Sequence, residues 1–383
     1  MLEPLRASDR TGLRGLSGSV DPAWLLWSMV ALLAVVAARL SAFKLKTQPL
    51  FVDFLAMWTG GGMANTQPSR LYDFAATDKA QTWLLGAAAH DRPFPYPPSS
   101  LLVFSPLGRL DFWAAGALWT ALTLAVFAGV TAARLPAGRR AVGVALTLLT
   151  PGAVWAAISG QVSFFIGALV VGGTAMLERR PWLAGACLGV AAAFKPTVLL
   201  MAPIALIAGG HWRAMLGAAL AGLMVVVLSI AAFGLGPWQA WIAAASGFSD
   251  HIIHNPRYFT GIITPTGLAL QLGLTGWAGV LWRGVFAVVG IVMAVMVFRR
   301  TTDLAPRLTA LLGGGLLVSP YVMTYETALL APGAVLAMLT APGGRPRIIA
   351  ALAFVALAVA GFPNVGAAAL LVFLALSMAP PIA

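Results

Sequence analysis

Three observations predict an all-α integral membrane protein built as a polytopic helical bundle. Hydrophobic residues make up 60% of the 383 positions, and the mean hydropathy is +0.89. Charged residues make up only 9%, against about 25% in soluble domains. The apolar runs are continuous and rich in Ala, Leu, Val and Gly, without the alternation over about ten residues that a membrane β-barrel requires. Lipid offers the backbone no hydrogen-bond partner, so helices are the spanning form.

The formal net charge of +12 does not indicate a nucleic-acid binder. Basic residues stand at the ends of apolar segments, as in Arg139-Arg140, Arg179-Arg180, Arg299-Arg300 and Arg345 with Arg347. Cytoplasmic loops of membrane proteins are marked in this way. A nucleic-acid surface would interleave them with aromatics in a soluble segment. Cys187 is the only cysteine, which excludes an intramolecular disulfide and a cysteine metal site.

Taken in order, residues 1–22 carry Arg6, Arg10 and Arg14 and are expected to form a cytoplasmic tail. Residues 23–383 are expected to form one transmembrane domain. The first span covers 23–43, close to the roughly 20 residues a crossing needs, and is too long for a cleavable signal. Arg39, Lys44 and Lys46 at its outer end run against the charge rule. A long first extracytoplasmic loop, 44–98, holds four of the 12 acids (Asp53, Asp73, Asp78 and Asp91). Its turn signals are Gly60-Gly61-Gly62 and Pro95-Tyr96-Pro97-Pro98. Trp58, Leu71, Tyr72, Phe74, Trp83 and Leu84 predict short helices on the membrane surface there, not disorder.

Residues 101–110 are too short to cross, and 112–133 returns inward. Further spans are expected near 141–157, 161–177, 182–194, 197–210 and 214–234. A second outer loop covers 237–274, and spans follow at 276–298, 306–322, 326–341, 347–362 and 365–380. The total is about 12 transmembrane helices with both termini inside. Segments 182–194 and 197–210 are short and meet at Lys195-Pro196, as do interrupted segments that line a cavity.

On this topology the polar residues collect on the outer side, while the cytoplasmic side carries little beyond arginines. Outward chemistry disfavours nucleotide donors, which are cytoplasmic, and favours a lipid-borne one. Asp53 suits two compatible roles: N-cap of a helix starting at Phe54, or general base at a membrane edge, where partial desolvation helps it accept a proton. Lys195 lies in an apolar stretch, where an ammonium costs about 2.5–3.5 kcal/mol unless it snorkels or pairs. It either snorkels or meets a lipid phosphate.

His251, His254 and Arg257 are spaced by three and share a face if helical. They fit a solvated surface, or anion or hydroxyl recognition, better than a metal site. Tyr321 and Tyr325 read as interfacial belt residues or substrate contacts, and Glu326 heads a span, where a carboxylate needs a purpose. Gly160-Gln161 is a polar turn between spans.

In order, Asp53-Phe54, Leu71-Tyr72-Asp73, Tyr96-Pro97-Pro98, Ser105-Pro106-Leu107, Gly160-Gln161, Ala184-Gly185 through Leu188-Gly189 to Lys195-Pro196, Ser319-Pro320-Tyr321 and Tyr325-Glu326 resemble glycosyltransferase family 87. The resemblance covers roughly residues 50–335. It implies a GT-C-like bundle and transfer of a sugar, mannose or another hexose, from a polyprenyl-phosphate donor. The acceptor would be a glycolipid or glycan hydroxyl at the outer face of the cytoplasmic membrane. Asp53 would be the base, and Lys195 and Arg257 would receive the phosphate. Tyr72, Tyr96, Gln161, His251, His254, Tyr321, Tyr325 and Glu326 would contact substrate. Asp53 is followed by Phe54 and not by a second acid, which favours a site without metal or other cofactor.

The rival readings are a multi-span transporter, a lipid-linked glycan flippase or a polymerase. A transporter concentrates ionisable groups at the midplane and often repeats its halves. Here the polar groups gather on one side and no internal repeat is visible. A polymerase is expected to carry its large loop later in the chain, with paired arginines.

Overall fold

The computed structural model describes residues 23–86 and 92–378. The expected tail 1–22, Asp91 and the side chain of Arg257 lie outside the described residues. Apart from an isolated bridge between Ile262 and Met323, the described chain is helical.

Helix α1 (Ala23–Thr47) leads into two short helices, α2 (Phe54–Thr66) and α3 (Phe74–Leu85); α2 is buried over most of its length and packs into the bundle instead of lying on a surface. A short helix of about two turns, α4 (Leu101–Leu107), precedes α5 (Phe112–Ala132). Next come α6 (Arg140–Leu148), α7 (Pro151–Ser159), α8 (Ser163–Met176) and α9 (Pro181–Phe194). Then follow α10 (Ala202–Ala208) and α11 (Trp212–Phe233). Residues 237–274, expected as a loop, are mostly helical: α12 (Gly236–His254), α13 (Pro256–Phe259) and α14 (Pro265–Gln271). The chain ends with α15 (Gly276–Arg300), α16 (Leu304–Leu308), α17 (Gly314–Val318), α18 (Thr327–Thr340), α19 (Arg345–Ala360) and α20 (Gly366–Ser377).

Among the described residues, four helices are long and apolar enough to cross a membrane: α1, α5, α11 and α15. A fifth is added if α6 and α7, bent by 66° at their junction, form one span. Length and composition therefore support four or five spans against the expected 12 or so. The reason is length. Helices α8, α9 and α18 have 14 residues each, about 21 Å at 1.5 Å per residue, against a hydrocarbon core of about 30 Å.

Long and short helices are distributed by burial. In α11 the buried positions are Ala214, Gly217 and Ser229, and its leucines Leu216, Leu220 and Leu223 face outward. An exposed stripe of this kind suits lipid. In α18 nearly every residue from Thr327 to Val335 is buried. The bundle thus wraps long peripheral helices around short central ones. Helix α9 meets α11 through Gly185 and Gly189, where an added Cβ would lie 2.0 Å from the Ala214 carbonyl oxygen and 2.2 Å from that of Ala218. Small residues four apart let two backbones touch, the packing that serves helices in lipid.

One end of the bundle gathers loops. The Phe51 N–H donates to the Ile158 carbonyl at 2.7 Å, and the Asp53 N–H to that of Ser159 at 3.1 Å. The Ile263 N–H donates to Val322 at 2.8 Å, the Thr324 N–H to Gly261 at 3.1 Å and the Asn364 N–H to Thr260 at 2.7 Å. These bonds join residues 51–53 to 158–159 and residues 260–263 to 322–324 and 364, and the two sets meet where α7 packs on the turn at Thr324–Glu326.

Candidate active site

At that end lies a cavity of about 310 Å³. Local backbone chemistry positions its acid. Gly160 closes α7 in the left-handed region, at φ +70°, and a Cβ there would lie 2.7 Å from the Phe54 Cβ. Only glycine allows both the turn and the approach of α2. The turn then delivers Gln161, which is 4% exposed, inward beside Asp53.

Asp53 occupies the N-cap position of α2, but its side chain makes no capping bond. This corrects the helix-cap reading: both carboxylate oxygens are engaged elsewhere. Oδ1 accepts from Arg92 Nη1 at 2.5 Å, and Oδ2 accepts from Gln161 Nε2 at 3.0 Å. Gln161 Oε1 in turn accepts from the Tyr96 hydroxyl at 3.4 Å. The carboxylate, amide and phenol form one chain, fixed from three separate loops.

Lys44, in the last turn of α1, is one of the three basic residues that run against the charge rule on the expected topology. It is 7% exposed, turned toward the cavity, and its Nζ donates to Gln48 Oε1 at 2.5 Å. It also sits 4.4 Å from the ring centroid of Trp155, a cation–π contact that helps hold a buried ammonium. Lys44 and Arg92 both line the cavity with Asp53. Sequence reasoning missed both as site residues. The signals were present: a lysine that runs against the charge rule on the expected topology, and an arginine immediately before the proline-rich stretch that starts at Pro93.

Of the residues singled out from sequence, Asp53, Tyr96, Gln161, Tyr321 and Tyr325 line the cavity. Tyr72 stands behind it. Its hydroxyl donates to the Tyr96 carbonyl at 2.7 Å, and its ring packs on Phe94 and Phe248. Lys195 and Glu326 do not line the cavity. They form an ion pair with each other, with side chains 17% and 1% exposed. The Lys195 Nζ is 6.0 Å from the Tyr96 ring centroid and 5.7 Å from that of Tyr325, so the pair backs two wall residues. Lys195 acquires this place because the residue before Pro196 leaves the helical region, at φ −145° and ψ 78°, ending α9 there.

The histidines lie outside the cavity lining. His251 packs against Phe74 and Tyr258, with centroids 5.4 and 6.3 Å away. The exposed His254 has Nδ1 2.9 Å from the Asp250 carbonyl. Helix α12 ends at His254, so Arg257 belongs to the separate short helix α13 and not to one continuous face with them.

Burial raises the phenols of Tyr96, Tyr321 and Tyr325 above their ordinary range, and for Tyr96 and Tyr325 nearby acids add to the rise. They stay protonated and can donate hydrogen bonds. Asp53 is the one carboxylate among the described residues that line the cavity. No group of three or more His, Cys, Asp and Glu among the described residues could hold a metal ion. The described residues offer one carboxylate as proton acceptor, two cations and an aromatic wall.

Residues 94–320, more than half of the chain, match the family model described as Glycosyltransferase family 87. The chain belongs to glycosyltransferase family 87. Tyr96 and Gln161 fall within the matched stretch of this family 87 protein, while Lys44, Asp53, Arg92, Tyr321 and Tyr325 fall outside it. A polyprenol-phosphate-mannose-dependent alpha-(1-2)-phosphatidylinositol pentamannoside mannosyltransferase of Mycolicibacterium smegmatis is 26% identical over 333 residues, 79% of this chain and 73% of that protein. A protein of the same description from Mycobacterium tuberculosis is 28% identical over 185 residues, 46% of this chain and 41% of that protein. No solved structure matches. As a family 87 member the protein is a multi-pass membrane hexosyltransferase, and the transporter reading falls away.

Proposed function

We propose that the protein transfers a hexosyl group, mannose first, from a polyprenyl-phosphate donor to a hydroxyl of a glycolipid or glycan. The observation that carries this reading is the one carboxylate among the described lining residues, Asp53, held in a cavity beside Lys44 and Arg92. The donor and acceptor classes come from the two relatives, whose names specify a polyprenol-phosphate-mannose donor and a phosphatidylinositol mannoside acceptor. A cavity of about 310 Å³ is large enough for a hexosyl unit, being at the low end of the roughly 300–1,000 Å³ common for ligand sites.

In the proposed step the acceptor oxygen bonds to the anomeric carbon as the bond from that carbon to the donor phosphate oxygen breaks. The acceptor proton passes to Asp53, and the electron pair of the broken bond leaves on polyprenyl phosphate. Lys44 and Arg92 stabilise that departing charge, since cations set in place beforehand act where charge develops. A phosphate that recruits Arg92 also loosens its bond to Asp53, leaving the carboxylate ready to accept the proton. Lys195 reaches the phosphate only by leaving Glu326. Its role in this scheme is to neutralise Glu326 and brace Tyr96 and Tyr325.

The GT-C-like architecture and the outer-face location belong to the same proposal. Gln161 precedes α8 and Arg179-Arg180 follow it, so the cavity and that arginine pair occupy opposite ends of this helix. With arginines marking the cytoplasmic side, the cavity opens outward.

The deciding experiment supplies the purified protein with polyprenyl-phosphate-mannose and a phosphatidylinositol mannoside and measures released polyprenyl phosphate. Asp53→Asn is expected to slow release at least about 10²-fold, with an unchanged melting profile. Undiminished release by that variant removes Asp53 as the base. Transfer from a nucleotide sugar but not from the lipid donor overturns the donor class.

A further inference from the structure

A second recess lies away from the cavity, between α2, α3 and the turn before α5. Its volume is about 920 Å³. One face of α2 (Trp58, Thr59, Gly62, Met63 and Thr66) meets one face of α3 (Ala75, Ala76, Lys79, Ala80 and Trp83) across it. Among the described residues three cations line it, Arg70, Lys79 and Arg109, and no acidic side chain does. The transferase chemistry uses none of them.

Arg109 is held in advance. Its Nε and Nη2 donate to Asn65 Oδ1 at 3.2 and 2.9 Å, and Asn65 Nδ2 donates to the carbonyls of Gly61 and Ser105, each at 2.9 Å. The backbone of α2 and α4 thereby orients the guanidinium through one amide. A planar guanidinium fixed along one edge presents its remaining N–H groups to an anion. Arg70 pairs with Asp73 at 3.1 Å, but both side chains are well exposed, so that pair is weak and open to competition.

Position identifies the anion. Arg109 stands three residues before Phe112, where the spanning helix α5 begins. The recess therefore lies at the level where a span leaves the hydrocarbon and phosphate headgroups begin. Trp83, 85% exposed, lines the recess, as does Trp58, whose Nε1 donates to the Leu110 carbonyl at 3.0 Å. Tryptophans with an apolar body and a polar edge favour this interface. An indole so exposed is costly against water and comfortable among headgroups and acyl carbons.

We propose that this recess binds the phosphate headgroup of an anionic membrane phospholipid. The lipid phosphate sits between Arg109 and Lys79, Arg70 closes the third side, and the tryptophans cover the glycerol and upper acyl carbons. The bound lipid ties α2 and α3 to the membrane surface.

The test is native mass spectrometry of the full-length protein, released from micelles that contain equal amounts of phosphatidylglycerol and phosphatidylcholine. The wild type should retain phosphatidylglycerol preferentially. The triple variant R70Q/K79Q/R109Q should lose that preference by at least about tenfold, since each basic residue near an anionic surface contributes appreciably. The variant R179Q/R180Q/R213Q removes three exposed arginines elsewhere and should keep the preference. An unchanged preference in the first variant, or an equal loss in both, overturns the proposal. Should the triple variant be unstable, Lys79→Gln at a solvent-facing position gives the same reading. About a fivefold loss is expected, and none overturns the site.

Discussion

The Arg92 guanidinium donates to the Asp53 carboxylate at 2.5 Å, across 39 positions of chain, with both side chains partly exposed to the cavity. The pair is therefore accessible to a competing anion. Arg92→Ala should raise the KM for the lipid donor at least about tenfold, as loss of a charge-assisted contact does. Arg92→Lys should restore only part of it, because a point charge lacks the planar fork of donors that a guanidinium presents to a phosphate. Steady-state kinetics over donor concentration decide this, and an unchanged KM in Arg92→Ala removes Arg92 from the phosphate site.

Lys44 and Arg92 are assigned to the same phosphate, so they should act together on the product as well as on the donor. Inhibition by added polyprenyl phosphate should weaken in Lys44→Gln and in Arg92→Gln. The double variant should depart from additivity, as residues sharing one ligand do. Asp53→Asn should leave phosphate inhibition in place. Strictly additive effects of Lys44 and Arg92 would place them on different groups.

The pair of Lys195 and Glu326 links residues 131 positions apart and is almost sealed from solvent. Removing one member leaves a buried charge without its partner. Lys195→Met should destabilise the fold by about 3–5 kcal/mol, while Lys195→Met with Glu326→Leu should recover most of the loss. Thermal unfolding in detergent measures both. Equal melting of Lys195→Met and wild type would show that the pair does not brace the wall.

Gly160→Ala combines a left-handed backbone with a contact to Phe54 that has no room for a methyl group. A cost above about 1 kcal/mol is expected from the backbone alone. Because Gln161 is the next residue, the turnover number should fall too, even at temperatures where the variant is folded. A variant that melts early but turns over normally would separate the turn from the site.

Much of the helical layout was legible in the chain. Helices 163–176, 181–194, 212–233, 276–300, 327–340, 345–360 and 366–377 lie close to the apolar segments read from hydropathy, and two of their ends coincide with Pro181 and Arg299-Arg300. Which of these cross the membrane was not legible. A 14-residue apolar helix buried among others has the same hydropathy as part of a span. The bend of 66° between α6 and α7 falls at Leu149 and Thr150, just before the Pro151 that opens α7, a breaker that hydropathy alone passes over.

The site divides in the same way. Asp53, Tyr96, Gln161, Tyr321 and Tyr325 could be singled out because polar residues at the edges of apolar segments are few. The grouping of Asp53 with Lys44 and Arg92, and the pairing of Lys195 with Glu326, could not. Apolarity, breakers and the glycine of a left-handed turn act over a few neighbouring residues and are written locally. The partner a charge finds depends on which distant loops fold onto the same end of the bundle, and in a low-dielectric interior that partner decides whether a cation is free for a substrate.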